Sequence, residues 1–219
     1  MLRALFEKTG NVVYISHLDL MRLFQRAFKR AGLHLTHTQG YNPRPSVSIA
    51  LPLSVGVESY CELLDFALEG ETVSCEEIMV RLNQALLEGV RVRCVYDSDT
   101  KIKDIALLDC AVYLEYDGGV PECLCEELQA LFSRPSLTVE KKGKNGISEQ
   151  DIAPMIRKIT WEETDAHTLC IHARVCCQNP TLNPAQLVAA IARYLPQYTP
   201  DFARYCREEI YASNEEIFR

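Results

Sequence analysis

Four cations in the first quarter of the chain are spaced three and four positions apart. At that spacing side chains share one face of an α-helix, and cations in such a row can contact successive phosphates of a nucleic acid. The solvated outer face of an ordinary helix has the same pattern, so both interpretations stay open. The four residues are Arg22, Arg26, Lys29 and Arg30.

A further arginine lies in a short turn between two prolines. Pro43 and Pro45 flank Arg44, and each proline fixes its own φ and keeps the residue before it extended. Arg44 would therefore lose little conformational freedom on binding an anion, and Tyr41 adds an aromatic ring that could stack on a base. A structural loop that covers the end of a sheet is the alternative.

A third cationic cluster interrupts the acidic second half of the chain. It consists of Lys141, Lys142 and Lys144, grouped around one glycine. Such a cluster is typical of the solvated tip of a hairpin, and contact with an anion is the alternative interpretation.

One histidine lies where a helix is expected to begin. In the first turn the positive end of the helix dipole favours the neutral imidazole of His17, which could then act as a general base. A packing or capping role is the alternative. The sequence has no Ser/His/Asp set, no paired carboxylates and no glycine-rich phosphate loop. We therefore expect a protein without catalytic activity of its own.

The ten cysteines follow no metal-binding pattern. Their spacing contains no pair of Cys-x-x-Cys units and no iron–sulfur cluster motif. Several alternate with apolar residues in strand-like segments, where a thiol acts as a small hydrophobic group. We expect neither a metal site nor a bound cofactor. The cysteines are Cys61, Cys75, Cys94, Cys110, Cys123, Cys125, Cys170, Cys176, Cys177 and Cys206.

The cationic row depends on a helix with a recognisable start and end. Ser16 can cap the helix by accepting a hydrogen bond from the amide of Asp19, and Gly32 suits the left-handed position that ends it. Apolar residues recur at three- and four-residue steps on another face, which predicts the buried side. They are Met21, Phe24, Ala27, Phe28 and Ala31.

The turn that carries Arg44 leads into alternating apolar and small residues. Every second residue from Val47 to Val57 is apolar, which predicts one long strand with one buried face. Pro52 has no amide hydrogen to donate, so we expect this strand at the edge of a sheet.

The order of elements predicts an α+β protein made of two tandem ferredoxin-like units. Residues 1–97 contain the order strand, helix, strand, strand, helix and strand, together with the basic helix and the turn at 40–45. A polar linker follows. Residues 104–219 repeat the order with an inserted strand or hairpin, and the halves share little sequence.

The net charge of −7 is unevenly distributed. Residues 1–57 contain seven Lys and Arg against two acids, a balance of +5, so the remainder carries −12. Any surface for nucleic acid is therefore expected in the first unit. No apolar run reaches membrane-spanning length and no export signal is recognisable, so we expect a cytoplasmic protein that does not enter a membrane.

Three segments, at 15–20, 39–45 and 50–59, resemble a bacterial family of unknown function that is associated with radical SAM enzymes, and the lysines at 141–144 are similar to its second-half signature. Members are encoded beside, or fused to, a radical SAM protein with a cobalamin-binding domain, so the resemblance implies such a protein as partner. In architecture alone, tandem ferredoxin-like domains with a histidine near the first helix resemble the RNA-processing endonucleases of CRISPR systems.

Three functions are consistent with these observations. The first is a non-catalytic accessory protein that binds RNA for modification by the radical SAM partner. The second is a metal-independent RNA endonuclease with His17 as its base, and the third is a scaffold that binds the partner protein and no RNA. The candidate RNA-binding residues are Arg22, Arg26, Lys29, Arg30, Tyr41, Arg44, Lys141, Lys142 and Lys144.

Overall fold

The chain is an α+β protein. The computed structural model describes residues 1–70, 73–143 and 146–219, and the side chain of Lys142 also lies outside that description. Backbone contacts divide the chain into unit 1, Met1–Ile102 with Arg219, and unit 2, Lys103–Phe218. No helix in the described part of the chain combines the length and the apolarity that a membrane span requires.

The described part of unit 1 contains four strands and two helices. All the pairings between these four strands are antiparallel, and their order is fourth, first, third, second. A 3-10 turn, Gly10–Tyr14, connects the first strand to the first helix. In chain order the elements are β1 (Leu2–Lys8), α1 (His17–Arg30), β2 (Val47–Ile49), β3 (Val57–Phe66), α2 (Cys75–Ala85) and β4 (Val90–Asp97).

The core of unit 1 fixes the position of α1. The predicted apolar face is confirmed, since Phe24, Ala27 and Phe28 are fully buried. The ring of Phe24 lies 4.7 Å from that of Phe6 on β1, and the ring of Phe28 lies 4.9 Å from that of Phe66 on β3, measured between centroids. Burying one such side chain contributes about 1.5–3 kcal/mol, so the opposite side of α1 is held towards solvent.

The long strand predicted over residues 47–57 is wrong. Only Val47–Ile49 forms a strand, which pairs with β3 alone among the described strands, and a loop follows. Leu51 has a left-handed φ of 46° and Pro52 cannot donate a hydrogen bond, so the ladder stops there. Leu53 is nevertheless buried. The alternating pattern therefore indicated burial of every second residue, which a loop packed on the core also provides.

Unit 2 has the same order of pairing in its larger sheet. Four of its six strands form this sheet, and their order is again fourth, first, third, second when these four are counted along the chain. Every pairing in the larger sheet and in a separate two-stranded hairpin is antiparallel. The hairpin forms a two-stranded sheet of its own. The elements are β5 (Ile105–Glu115), α3 (Leu124–Phe132), β6 (Thr138–Gly143), β7 (Gly146–Asp151), β8 (Ile156–Asp165), β9 (Thr168–Cys176), α4 (Ala185–Tyr194) and β10 (Phe202–Ala212), so the larger sheet has the order β10-β5-β9-β8.

The cysteines contribute to the packing of the sheets. All ten are free thiols. Cys110 and Cys170 are almost fully buried in β5 and β9, as expected for small hydrophobic groups. Burial raises the pKa of Cys110 to about 12 and that of Cys170 to about 11, so both thiols stay protonated and unreactive near neutral pH.

Candidate nucleic acid interface

The four cations of α1 lie together on its exposed side, which we call the cation face. The predicted cap of this helix is confirmed, because the Ser16 hydroxyl accepts a hydrogen bond from the Asp19 amide at 3.2 Å. The same hydroxyl donates to the Asp19 carboxylate at 2.7 Å. The cap fixes the first turn and hence the register of the cation face, which consists of Arg22, Arg26, Lys29 and Arg30.

Two of the four cations already have protein partners. Arg22 forms an exposed ion pair with Asp19 at 3.0 Å. The guanidinium of Arg30 donates to the carbonyl of Ala85 at the end of α2, where carbonyls have no partner within the helix. The side chains of Arg26 and Lys29 form no hydrogen bond or ion pair with any described residue. Arg26 and Lys29 could therefore bind a ligand without first breaking a hydrogen bond or ion pair to a described residue.

The turn that carries Arg44 is the tip of a closed loop, which we call the loop tip (residues 38–44). The Thr38 amide donates to the Arg44 carbonyl at 2.8 Å, and the Arg44 amide donates to the Thr38 hydroxyl at 3.0 Å. His37 and Pro45 pair just below this closure. These bonds hold the backbone of the tip, while the guanidinium of Arg44 contacts no hydrogen-bond acceptor in the described part of the chain.

The ring of Tyr41 is fully exposed at the loop tip. The ring therefore does not pack against the turn. The loop leaves the C-terminal end of α1, because Leu35 pairs with Leu68 only five residues after Arg30. The loop tip with Tyr41 and Arg44 thus follows in the chain the end of α1 that carries Lys29.

The lysines of the second half belong to unit 2. Lys141 lies on β6 and is exposed. Lys144 and the side chain of Lys142 lie outside the described residues.

His17 is the first residue of α1, and it lies on the opposite side of the helix from the cation face. At roughly 100° per residue, His17 continues the stripe of Leu20 and Phe24 and lies about 140° from Arg22. Its imidazole forms no hydrogen bond with any described residue. A ligand on the cation face would therefore not meet the His17 ring on the same side of the helix.

Two of the seven cations in residues 1–57 are buried inside unit 1. Lys8 is buried, and its Nζ donates to the carbonyls of Val13 at 3.0 Å and Ile15 at 3.2 Å. Burial lowers the pKa of Lys8, and the nearby Glu62 opposes that shift. The sequence contained an indication that Lys8 is buried, because the alternation of β1 places residue 8 on the same side as Phe6.

Arg3 is the second interior cation. It is fully buried and makes two hydrogen bonds to the carboxylate of Asp65 and two to Thr100. Unit 1 as a whole has twelve Lys and Arg and twelve Asp and Glu, a net charge of zero. Unit 1 as a whole is therefore not positively charged, and the exposed cations of α1 and the loop tip are a local cluster.

The described residues contain no group of three or more His, Cys, Asp or Glu arranged to hold a metal ion.

The family model described as an uncharacterized protein conserved in bacteria (DUF2344) matches residues 1–184. The chain belongs to this family. No curated protein matches the chain significantly. The DUF2344 match covers residues 1–102 of unit 1, including the cation face and the loop tip, and the part of unit 2 up to the start of α4.

Solved structures match this DUF2344 protein only distantly. A Cbf5-Nop10-Gar1 complex aligns with a TM-score of 0.48 and 10% identity, over 94% of this chain and 48% of that chain. An H/ACA RNP bound to a substrate RNA gives 0.46 and 11%, over 98% and 48%. An unknown protein from Galdieria sulphuraria gives 0.27 and 15%, over 94% and 96%. The chain spans about half the length of the first two, and all three similarities are too low to support a functional argument.

Proposed function

We propose that this DUF2344 protein is a non-catalytic RNA-binding accessory protein that presents RNA to a radical SAM modification enzyme. The RNA part of this proposal rests on the loop tip. There a fully exposed tyrosine ring, and an arginine side chain that has no hydrogen-bond partner in the described part of the chain, project from a closed backbone. Stacking rings and cations that follow phosphates are the components of single-stranded RNA sites.

The cation face supplies the phosphate contacts in this proposal. Arg26 and Lys29 are the primary contacts because they are available, and Arg22 and Arg30 contribute after changing or sharing their present partners. Lys141, Lys142 and Lys144 stay proposed contacts on unit 2. The partner enzyme, with its cobalamin-binding domain, is inferred from the resemblance of segments 15–20, 39–45 and 50–59.

The proposal includes two tandem ferredoxin-like units, bounded at 1–97 and 104–219. The sheet orders β4-β1-β3-β2 and β10-β5-β9-β8 support it, because a split βαβ unit places its fourth, first, third and second strands side by side. It also places the protein in the cytoplasm. Ten free thiols support that location, since reducing compartments keep cysteines unpaired.

Crosslinking in cells, followed by sequencing of the recovered RNA, tests the proposal. We expect enriched RNA for the wild-type protein and its loss for a variant with Arg26→Gln, Lys29→Gln and Arg44→Gln. Incubation of the recovered RNA with the protein in EDTA tests the endonuclease alternative, and cleavage abolished by His17→Ala would establish it. Complex formation with the radical SAM protein without enriched RNA would instead establish the scaffold.

A further inference from the structure

A groove separates the C-terminal ends of the two helices of unit 1. It has a volume of about 340 Å³ and is lined by Arg30, Ala31, Arg81, Gln84 and Ala85. We call it the helix-end groove. Two of its five lining residues are arginines, and none of the five is acidic.

Both arginines keep hydrogen-bond donors for a ligand. A guanidinium has five N–H donors. Arg30 uses Nη2 on the Ala85 carbonyl, and Arg81 uses Nη2 on the carboxylate of Glu77. The remaining nitrogens of the two side chains form no hydrogen bond with any described residue.

The contact of Arg30 with Ala85 reduces the main obstacle to an anion at this place. The C-terminal end of α2 carries negative partial charge, which repels phosphates. The guanidinium of Arg30 donates to the last carbonyl of α2 and so offsets part of this negative charge within the groove. Arg30 is also the edge of the cation face, so the groove and the cation face form one continuous surface.

We propose that the helix-end groove binds a phosphate of single-stranded RNA that continues from the cation face, with Arg81 as the contact specific to the groove. This inference rests on the proposed function. The volume of the groove lies in the range of about 300–1,000 Å³ that is typical of small-ligand clefts. Duplex RNA is instead recognised over roughly 16 base pairs of extended surface.

Salt-dependent binding of oligouridylates of about 4 to 16 nucleotides, the span of known single-strand sites, tests this inference. Each lost phosphate contact lowers the log–log salt slope by about 0.7 for a single strand. We expect Arg81→Gln to reduce the magnitude of this negative slope by about 0.7 for the long oligomers. The slope for the shortest oligomers should stay unchanged. Arg81→Lys keeps the charge and should keep the slope. Arg91→Gln, at an exposed arginine on β4, is the matched control and should have no effect.

Three results are distinguishable. An effect of Arg81→Gln that grows with oligomer length, with none for Arg91→Gln, supports the groove. If Arg81→Gln binds like wild type at every length while the Arg26, Lys29 and Arg44 variant loses affinity, the groove is overturned and the proposed function stands. If wild-type protein binds no oligouridylate and recovers no RNA from cells, both are overturned.

Discussion

At the scale of single residues, burial separates cations that hold the fold from cations that are available to a ligand. Arg3 and Lys8 lie inside unit 1 with carboxylate or carbonyl partners. Arg26 and Arg44 carry the same positive charge but are exposed to solvent. Composition counts all of these residues equally, so the balance of +5 in residues 1–57 overstated the charge available for binding.

Replacing the exposed tyrosine should weaken RNA binding without changing stability. We expect Tyr41→Ala to cost roughly 1–3 kcal/mol of binding free energy, the usual contribution of one stacked base. Tyr41→Phe keeps the ring and should bind like wild type. Fluorescence anisotropy measures the affinity, and thermal unfolding should show an unchanged Tm because the ring is fully exposed. Tyr14→Ala, at an exposed tyrosine in the 3-10 turn, is the control. Equal losses for Tyr14→Ala and Tyr41→Ala would argue against stacking.

The buried lysine should make stability depend on pH in the alkaline range. The folded pKa of Lys8 lies below 10.5 because burial disfavours its charge. The unfolded chain therefore binds more protons in this range, and the contribution of Lys8 to stability rises as the pH approaches 10.5. Urea unfolding should show wild type gaining stability relative to Lys8→Met as the pH rises. A constant difference between the two proteins across that range would contradict this account.

At the scale of elements, the sequence predicts best where several local signals agree. For α1, the Ser16 cap, the apolar stripe and Gly32 all indicate the same helix, and its bounds follow from them. For residues 47–57 only the alternation indicated a strand, and Pro52 opposed it. The left-handed backbone of Leu51 was not predictable from residue type, since leucine seldom adopts it.

The caps of the two helices of unit 1 offer a matched pair of variants. Ser16 and Ser74 each accept a hydrogen bond from the amide three residues later at 3.2 Å. Ser16→Ala and Ser74→Ala should each cost about 1 kcal/mol of unfolding free energy, measured in urea. Ser16→Ala should weaken RNA binding more than Ser74→Ala, because Ser16 fixes the first turn of the helix that carries the cation face, whereas α2 contributes Arg81 alone. Equal effects of both variants on binding would show that stability alone controls it.

The buried thiols of unit 2 should make its sheet sensitive to alkaline pH. Burial raises the pKa of Cys110 to about 12, from 9.0 for an ordinary thiol. The stabilising contribution of this thiol is complete below pH 9 and is lost as the pH rises towards 12, because the unfolded chain releases its proton first. Cys110→Ala should therefore lose less stability than wild type between these values in urea titrations. If wild type and Cys110→Ala lose the same stability over this pH range, ionisation of Cys110 does not contribute to alkaline unfolding.

At the scale of the whole molecule, the order of elements was more predictable than the distribution of charge. Local periodicity identifies strands and helices one by one, and their order is read directly from the chain. Ion pairs such as Arg3 with Asp65 join residues that are far apart in sequence. The full exposure of Tyr41 and the closure between Thr38 and Arg44 likewise depend on contacts that no local pattern encodes.

The salt dependence of RNA binding tests the central claim most directly. Three phosphate contacts, from Arg26, Lys29 and Arg44, should contribute about −2 to the log–log slope for single-stranded RNA. The triple Gln variant should reduce the magnitude of the slope by about 2, while Arg91→Gln, on the exposed edge strand, leaves it unchanged. A triple variant that keeps the wild-type slope, or a wild-type protein with no measurable affinity at low salt, would contradict the account.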